Sequence, residues 1–164
     1  MHAEDLADRF GDALVTDQET RALAEGVLTD SGVGYLAMQD AGGPYVLPTS
    51  FAYDEGVVHL HGGPGKKAQA LGGEPRVCLS VCTTPELILA DNPCSDNFRY
   101  RSVLVFGSVR QVQDEAEREA SLRAIIAKYH PDRVADRLGS ATLAKTLVYR
   151  LDVEALTYRQ HPAD

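Results

Sequence analysis

A β-hairpin pattern that runs into a glycine-rich loop constrains this chain more than any other feature. Residues 45–53 and 57–61 are rich in β-branched and aromatic side chains, and the turn Asp54-Glu55-Gly56 separates them. Such a pattern predicts two antiparallel strands joined by a tight turn. The second run continues into Gly-Gly-Pro-Gly-Lys-Lys at residues 62–67. Glycine lets the backbone approach an anion closely and the lysines add charge, so this end of the hairpin predicts a site for a phosphate-bearing ligand.

Taken alone, the loop motif also fits an ordinary surface turn. It is not a nucleotide-binding P-loop, because Lys67 occupies the position at which that motif requires serine or threonine. A short helix is expected at residues 66–71, and its start after Gly65 would add free backbone N–H groups for an anion. The rest of the chain is therefore needed to decide between a turn and a binding site.

The remainder of the sequence predicts a mainly β domain. Apolar runs predict further strands at residues 33–39, 75–83, 87–90, 100–112 and 146–153. Few spacings fit a strand–helix–strand unit, so we expect an antiparallel barrel of about six strands with peripheral helices. Pro48 lies inside the run 45–53 and predicts an edge or a bulge, because proline cannot donate to a sheet ladder. The run 100–112 is apolar on both faces, which predicts burial in the barrel or beneath a partner subunit.

Two helices have clear start signals. Thr16 followed by Glu19 matches a capping box. Asp114 is the expected N-cap of a helix that ends at Tyr129, before His130-Pro131. Leu122, Ile125, Ile126 and Tyr129 recur at helical spacing and predict a core-facing stripe. The charged residues on its other faces are expected to form a solvated surface: Glu115, Glu117, Arg118, Glu119, Arg123 and Lys128.

Charge and composition exclude several classes of partner. The chain has 164 residues and a formal net charge of −8, which argues against nucleic acid and anionic membranes as partners. Its N-terminal residues are acidic and lack an apolar signal core, so we expect a cytoplasmic protein. The cysteines Cys78, Cys82 and Cys94 do not form a disulfide framework and are expected to be buried free thiols.

Polar residues at two places are candidates for chemistry. His59 and His61 share one face of a predicted strand, but further metal ligands at suitable spacing are not evident, so we expect no metal. His61, just before the glycine loop, is better placed to touch a ligand. Tyr100, Arg101 and Ser102 open the long strand and suit a phosphate or a ring carbonyl, although an arginine paired with a surface carboxylate is the alternative. Ser50 and His61 lack the context of a hydrolase motif.

Four stretches in this order resemble the pyridoxamine 5′-phosphate oxidase-like, FMN-binding split-barrel superfamily. They are GYLAM at residues 34–38, PYVLPTSFAY at 44–53, VHLHGGPGKK at 58–67 and YRSVLVFG at 100–107. Within the superfamily the series is most similar to the nitroimidazole-reductase (Nim) branch. The resemblance implies a six-stranded antiparallel split β-barrel, which we place at residues 16–160. Residues 1–15 are polar and weakly patterned and are expected to form an N-terminal arm, with a lid or a disordered segment as the alternatives. The resemblance also implies a homodimer with two FMN molecules at the interface.

The same resemblance assigns expected roles to individual residues. Pro48, Thr49, Ser50 and Phe51 would line the isoalloxazine, largely through their backbone. His61 and Gly62 would lie beside the ring and the ribityl chain, with His61 as the catalytic residue on the substrate side. Lys66 and Lys67 would hold the phosphate, and Tyr100, Arg101 and Ser102 would complete the site from the other subunit.

Three departures from the superfamily pattern narrow the expected activity. The chain has no Trp, and its end lacks the Trp/Arg signature of true pyridoxamine phosphate oxidases, which argues against vitamin B6 oxidation. His59 stands where relatives carry an aromatic residue, and Lys66 replaces an arginine. The expected function is therefore FMN-dependent reduction of a small planar electrophile such as a nitroimidazole. A non-enzymatic flavin- or haem-binding barrel is the alternative, a deazaflavin would suit the same residues, and an H-x-H metal site ranks last.

Overall fold

The structure is a computed structural model that describes residues 3–73 and 75–162. Its strands and helices begin and end near the turn signals of the sequence. The strands of this part are β1 (Gly34–Asp40), β2 (Gly43–Thr49), β3 (Phe51–Asp54), β4 (Val57–Gly62), β5 (Arg76–Cys82), β6 (Glu86–Ile88), β7 (Asn97–Gln111) and β8 (Leu147–His161). The α-helices are α1 (Ala3–Phe10), α2 (Gln18–Asp30), α3 (Lys66–Leu71), α4 (Glu115–Tyr129) and α5 (Ser140–Lys145). Single turns of 3-10 helix occupy Gly11–Ala13, Pro93–Ser95 and Pro131–Arg133. No helix of the described residues is long and apolar enough to span a membrane.

The sheet closes on itself at a single residue, Ser50. Its strand order is β2-β1-β5-β7-β8-β4-β3, and every neighbouring pair is antiparallel. The two outermost strands, β2 and β3, are consecutive in the chain and have Ser50 alone between them. The two edge strands of one sheet can lie this close to each other only if the sheet curls into a barrel. We call the junction at residues 49–51 the seam of the barrel.

The mainly β, antiparallel class is confirmed, but the expected number of strands was too low. Eight strands are present in the described residues, not six. The predicted strand at 45–53 is two strands, because the chain crosses at Ser50 from one sheet edge to the other. Pro48 does lie on an edge strand, paired with Tyr35 of β1. The additional short strand β6 pairs with the first residues of β7 as a two-stranded ribbon.

The two longest strands, β7 and β8, need a glycine at the point where their pairing register shifts. Register shifts between Phe106 and Gly107, so that Glu154 is the extra residue of a β-bulge in β8. A Cβ atom added at Gly107 would lie 2.0 Å from the carbonyl oxygen of Asp152. Glycine alone therefore permits the two backbones to approach this closely.

The barrel interior is filled by inward-facing aliphatic and aromatic side chains. Strand alternation places Leu36, Leu79, Val103 and Leu151 fully inside, and Phe51 and Tyr149 are the largest rings of the core. The outer surface of β7 is covered in part by α1, whose Phe10 ring lies 5.1 Å from that of Phe106. Helix α2 begins one residue later than predicted, because the side chain of Asp17, not Thr16, accepts the Thr20 N–H.

Helix α4 clamps the seam through its last two residues. The hydroxyl of Tyr129 accepts the Phe51 N–H at 2.9 Å and lies within donating distance of the Phe51 carbonyl (3.0 Å) and of the Gly32 carbonyl (2.9 Å). The Lys128 Nζ lies 3.6 Å from the centroid of the Phe51 ring and donates to the Leu28 carbonyl at 2.8 Å. Burial lowers the pKa of Lys128 to about 8. Side chains of one helix thus provide hydrogen bonds at the place where the sheet ladder is interrupted.

The prediction that the charged residues of α4 form a solvated surface is wrong for most of them. Arg110 and Arg150 pair with Glu117, and Lys128 is half-buried beside the seam. Arg118 and Arg123 donate to backbone carbonyls of the segment that follows the helix. Helical periodicity predicted which face carries these residues, but not that neighbouring elements cover it.

The cysteines are free, as predicted, but they are not all buried. Cys82 and Cys94 are exposed, and Cys78 is half-buried on the outer face of β5. The burial prediction was wrong because Cys78 and Cys82 share the outward face of β5, whereas Val77, Leu79 and Val81 point inward.

The role of Tyr129 gives a first testable prediction. Tyr129→Phe should lower the free energy of unfolding by about 1–3 kcal/mol, because the Phe51 N–H loses its partner at a part-buried position. Tyr45→Phe is the matched control, since the Tyr45 hydroxyl donates to the Lys66 carbonyl at an exposed position. Urea unfolding measures both variants, and equal stability of the two would contradict the clamp.

Candidate functional site

Lys67 lies across the seam and contacts both sides of it. Its Nζ donates to the His61 carbonyl of β4 at 2.7 Å and lies 3.4 Å from the Thr49 hydroxyl of β2. The loop at residues 62–65 leads into α3, so the helix carries the lysine back over the strand that precedes it. The predicted bounds of α3 are those observed, Lys66–Leu71.

Gly62 makes room for the Lys67 side chain. A Cβ atom added at Gly62 would lie 2.9 Å from Lys67 Cε and 3.1 Å from its Nζ. Such contacts are too short, so a larger residue would push the flexible lysine aside. The neighbouring Gly63 has open space at the same point, with nothing within 4 Å. The first glycine of the motif is therefore the one that positions charge.

Lys67 is a half-buried cation, and none of the carboxylates in the described residues forms an ion pair with it. Burial lowers its pKa, which reports the energetic penalty of holding the charge away from water. Lys66 is exposed and likewise makes no ion pair within that part of the chain. The chain has 24 acidic residues, so two adjacent unpaired lysines mark a place suited to an external anion.

His61 has an unsatisfied buried nitrogen. Its Nδ1 is shielded from solvent and has no hydrogen-bond partner among the described residues. Burial, and then the nearby Lys67 charge, lower the pKa of His61, so the imidazole is neutral at neutral pH. The ring lines a cavity of about 450 Å³ beneath α4. An orphaned buried polar atom of this kind indicates a missing partner.

His59 lies on the same face of β4 as His61 and already has a partner. Its Nδ1 is 3.1 Å from the hydroxyl of the buried Ser121 on α4. Burial lowers the pKa of His59 as well. The described residues contain no group of three or more His, Cys, Asp or Glu side chains that could hold a metal ion. His59 is therefore a packing residue between the sheet and α4.

The four residues expected beside a ring, 48–51, differ in how accessible their side chains are. Pro48 is exposed, Ser50 is half-buried, and Thr49 is buried with its hydroxyl toward Lys67. Phe51 is fully buried, and both of its backbone polar groups are within hydrogen-bond distance of Tyr129. Within this stretch, Pro48 and Ser50 offer the accessible surface.

Tyr100, Arg101 and Ser102 line a different place in the same chain. Tyr100 and Arg101 border a cavity of about 580 Å³, and His61 and Lys67 are not among its lining residues. Val103 is next to Ser102 on β7, and it lies in the same cross-strand row as Thr49 on β2. Strands β1 and β5 lie between β2 and β7. Three strand spacings amount to roughly 14 Å along the sheet. Within one chain, the two predicted halves of the site therefore remain apart.

Several residues that shape the site were not predicted as such from the sequence. Tyr129, Arg118 and Arg123 act through contacts with backbone groups far away in the chain, and Ser121 binds His59. The only signal for them was their position on α4. Leu122 and Ile126, predicted as core, instead border the cavity that His61 faces.

The barrel with helices on its outside defines the class of protein, and the comparison with known families agrees with it. The family described as "Pyridoxamine 5'-phosphate oxidase" matches residues 20–160, and the chain belongs to this family. The resemblance inferred from the four sequence stretches is thereby confirmed at family level. No curated protein sequence matches the chain significantly.

Solved structures from several bacteria share the fold at low sequence identity. A candidate 5-nitroimidazole antibiotic resistance protein from Bacteroides thetaiotaomicron is 23% identical, with a TM-score of 0.72 over 88% of this chain and 84% of its own. An FAD- and haem-binding protein from Mycobacterium smegmatis is 24% identical, with a TM-score of 0.79 over 93% of this chain and 75% of its own. A flavocytochrome from Azotobacter vinelandii is 24% identical, with a TM-score of 0.75 over 95% and 74%.

The two buried imidazoles predict how stability depends on pH. The pKa values of His59 and His61 are lowered from 6.5 by burial, so the unfolded chain binds protons more readily than the folded chain. Their contribution to the free energy of unfolding is therefore present at neutral pH and is lost as the pH falls below about 6.5. His61→Gln should show a smaller loss of stability between pH 7.5 and pH 5.5 than the parent. Urea unfolding at the two pH values measures this, and identical losses would contradict it.

Proposed function

We propose that this chain is an FMN-dependent oxidoreductase that reduces a small planar electrophile such as a nitroimidazole. The observation that carries the proposal is Lys67, a half-buried cation at the barrel seam that makes no ion pair within the described residues. The family, and the similar structures of a flavocytochrome, an FAD- and haem-binding protein and a nitroimidazole resistance protein, support it.

The phosphate end of FMN fits the two lysines. Lys67 has one further N–H available beyond those directed at His61 and Thr49, and Lys66 is exposed beside it. A dianionic phosphate would offset the unfavourable burial of the Lys67 charge. Because α3 has six residues, the formal charges contribute more here than the helix dipole. Lysine binds phosphate as a point charge, so this end provides attraction more than fixed orientation.

The ring end would lie along the seam. Pro48 and Ser50 present accessible surface there, Thr49 and Phe51 hold the backbone in place, and Gly62 leaves space beside the strand. His61 stands between this surface and the cavity beneath α4. A ring held here would contact the backbone of the seam, and the cavity beside His61 would be open to a second molecule.

FMN, when bound, supplies the hydride equivalent that a nitro group or another electrophile accepts. The chain contributes position and proton handling. His61, neutral at neutral pH, offers one N–H donor and one acceptor, and its Nδ1 has no competing partner in the described part of the chain. We assign it the catalytic role of donating a hydrogen bond from its ring N–H to the substrate as negative charge develops there, while the proton itself comes from water.

The site is completed, in this proposal, by a second copy of the chain. Ser102 alternates with the buried Val103 and so projects outward from the barrel. Tyr35 and Val46 on this outer face are 50% and 57% exposed, and the exposed Arg159 lies opposite Ser102 in the ladder. A sheet face with exposed apolar side chains and an arginine at its border suits a homodimer interface. Tyr100, Arg101 and Ser102 would then reach the partner's FMN.

A non-enzymatic flavin- or haem-binding barrel is the second candidate. The orphaned nitrogen of His61 favours it, because a neutral imidazole in a cavity is also a suitable axial ligand for haem iron. Haem and flavin have distinct visible spectra, so a single spectrum of the purified protein separates them.

The activity is tested by spectrum and turnover together. The purified protein should show flavin absorption, or acquire it on adding FMN, and a nitroimidazole should reoxidise the anaerobically reduced protein. A colourless protein that FMN does not reconstitute contradicts the flavin assignment. A flavoprotein whose flavin nitroimidazoles never oxidise contradicts the reductase assignment and favours a binding role.

The space that Gly62 leaves for the Lys67 side chain gives a prediction with a matched control. Gly62→Ala should weaken FMN binding by about 3- to 10-fold, because the new Cβ displaces Lys67 from its position. Gly63→Ala should bind FMN as the parent does, because its Cβ meets open space. Lys66→Ala/Lys67→Ala should weaken binding by about 100-fold. Flavin fluorescence titration measures all three, and an unchanged Kd of the double variant would remove the phosphate role.

The interface gives a second prediction. The parent protein should be a dimer, and Val46→Glu should shift it toward monomer by placing a charge on the apolar face. Leu23→Glu is the control, since Leu23 is a 44% exposed side chain on helix α2 and not on the sheet. Light scattering gives the masses. A monomeric parent that still binds FMN tightly would contradict the shared site.

A further inference from the structure

The cavity beneath α4 combines an apolar wall with several polar side chains. It measures about 450 Å³ and lies between β4, α4 and the segment that follows α4. Leu122 and Ile126 of the helix and Leu138 and Leu143 of the segment supply the apolar wall. Six polar residues also border the space: His61, His130, Arg133, Asp136, Arg137 and Thr146. This volume lies within the range of small-molecule sites, in which an apolar wall is combined with polar groups that orient the ligand.

The far wall of this cavity is held in place by two arginines of α4. Arg123 donates to the Val134 carbonyl at 2.6 Å, and Arg118 donates to the carbonyls of Leu143 and, at 3.0 Å, of Thr146. Hydrogen bonds with a charged donor are among the stronger ones in proteins. Two such anchors, at the beginning and end of the segment, keep the cavity formed without a ligand.

Two polar groups at the cavity have no counterpart among the described residues. Arg133 is neutralised by Asp136, at 2.8 Å, but none of the ion pairs in that part of the chain involves Arg137. The buried Nδ1 of His61 also lacks a partner there. The His61 ring and the exposed Arg137 therefore both border the cavity, and Arg137 makes no ion pair within the described residues.

We propose that this cavity binds an organic anion with an apolar body, namely an aromatic carboxylate. Its carboxylate pairs with Arg137, its ring packs on Leu122, Ile126, Leu138 and Leu143, and its other end reaches His61. A guanidinium matches a carboxylate with two parallel hydrogen bonds, whereas a neutral ring would leave Arg137 unpaired. This inference rests on the proposed function in one respect: because His61 is the residue placed between FMN and substrate, the anion is the substrate.

The test compares two probes that differ in the carboxylate. Binding of 4-nitrobenzoate and of nitrobenzene to the full chain is measured by calorimetry, which needs neither flavin nor turnover. 4-Nitrobenzoate should bind at least about tenfold more tightly, and Arg137→Gln should abolish that difference. Arg21→Gln, an exposed arginine of α2 that pairs with Glu25, is the matched control and should preserve it. Equal affinity for both probes, or an unchanged difference in Arg137→Gln, overturns the proposal.

Kinetics separate failure of this site from failure of the proposed function. In an active flavoprotein, Arg137→Gln should raise KM for 4-nitrobenzoate about tenfold and leave kcat and the nitrobenzene KM unchanged. A chain that binds 4-nitrobenzoate through Arg137 but reduces neither compound supports the site and contradicts the function. A chain that reduces both compounds with equal KM, in parent and variant alike, overturns the site and leaves the function standing.

Discussion

The closure of the barrel at Ser50 is the constraint on which the other features depend. Strands β2 and β3 are the two edges of one sheet, and one residue joins them. Backbone groups at such a junction cannot all find partners in the ladder. Tyr129 supplies hydrogen bonds to Phe51, Lys128 covers the Phe51 ring, and Lys67 contacts the Thr49 side. Helices α3 and α4 thus supply contacts at the point where the sheet closes.

The same constraint brings polar and charged side chains together at one place. Side chains recruited to satisfy the seam include a half-buried lysine with no ion pair in the described chain and, next to it, a histidine with an orphaned nitrogen. Leaving such groups unsatisfied is unfavourable, so a sequence that retains them gains most when a ligand provides the missing partners. In our proposal, phosphate is the partner of Lys67, and a substrate is the partner of His61. Structural stability and ligand binding then draw on the same residues.

Local signals in the sequence predicted much of this architecture. The Gly-Gly-Pro-Gly-Lys-Lys loop and the bounds of α3 were read correctly, as was the cap of α4 at Asp114, because short-range backbone chemistry determines them. The break at Ser50 was missed, since it is set by where two sheet edges meet and not by the local residues. The roles of Arg118 and Arg123 were missed for the same reason: their partners are backbone carbonyls, which leave no trace in a sequence pattern.

The phosphate assignment at the seam is tested most directly by comparing FMN with riboflavin, which has the same ring and lacks the phosphate. Fluorescence titration of the purified, flavin-free protein gives both dissociation constants. If Lys66 and Lys67 hold the phosphate, FMN should bind about 100-fold more tightly than riboflavin. Equal affinity for the two would contradict the account, because the charge at the seam would then have no role in holding the cofactor.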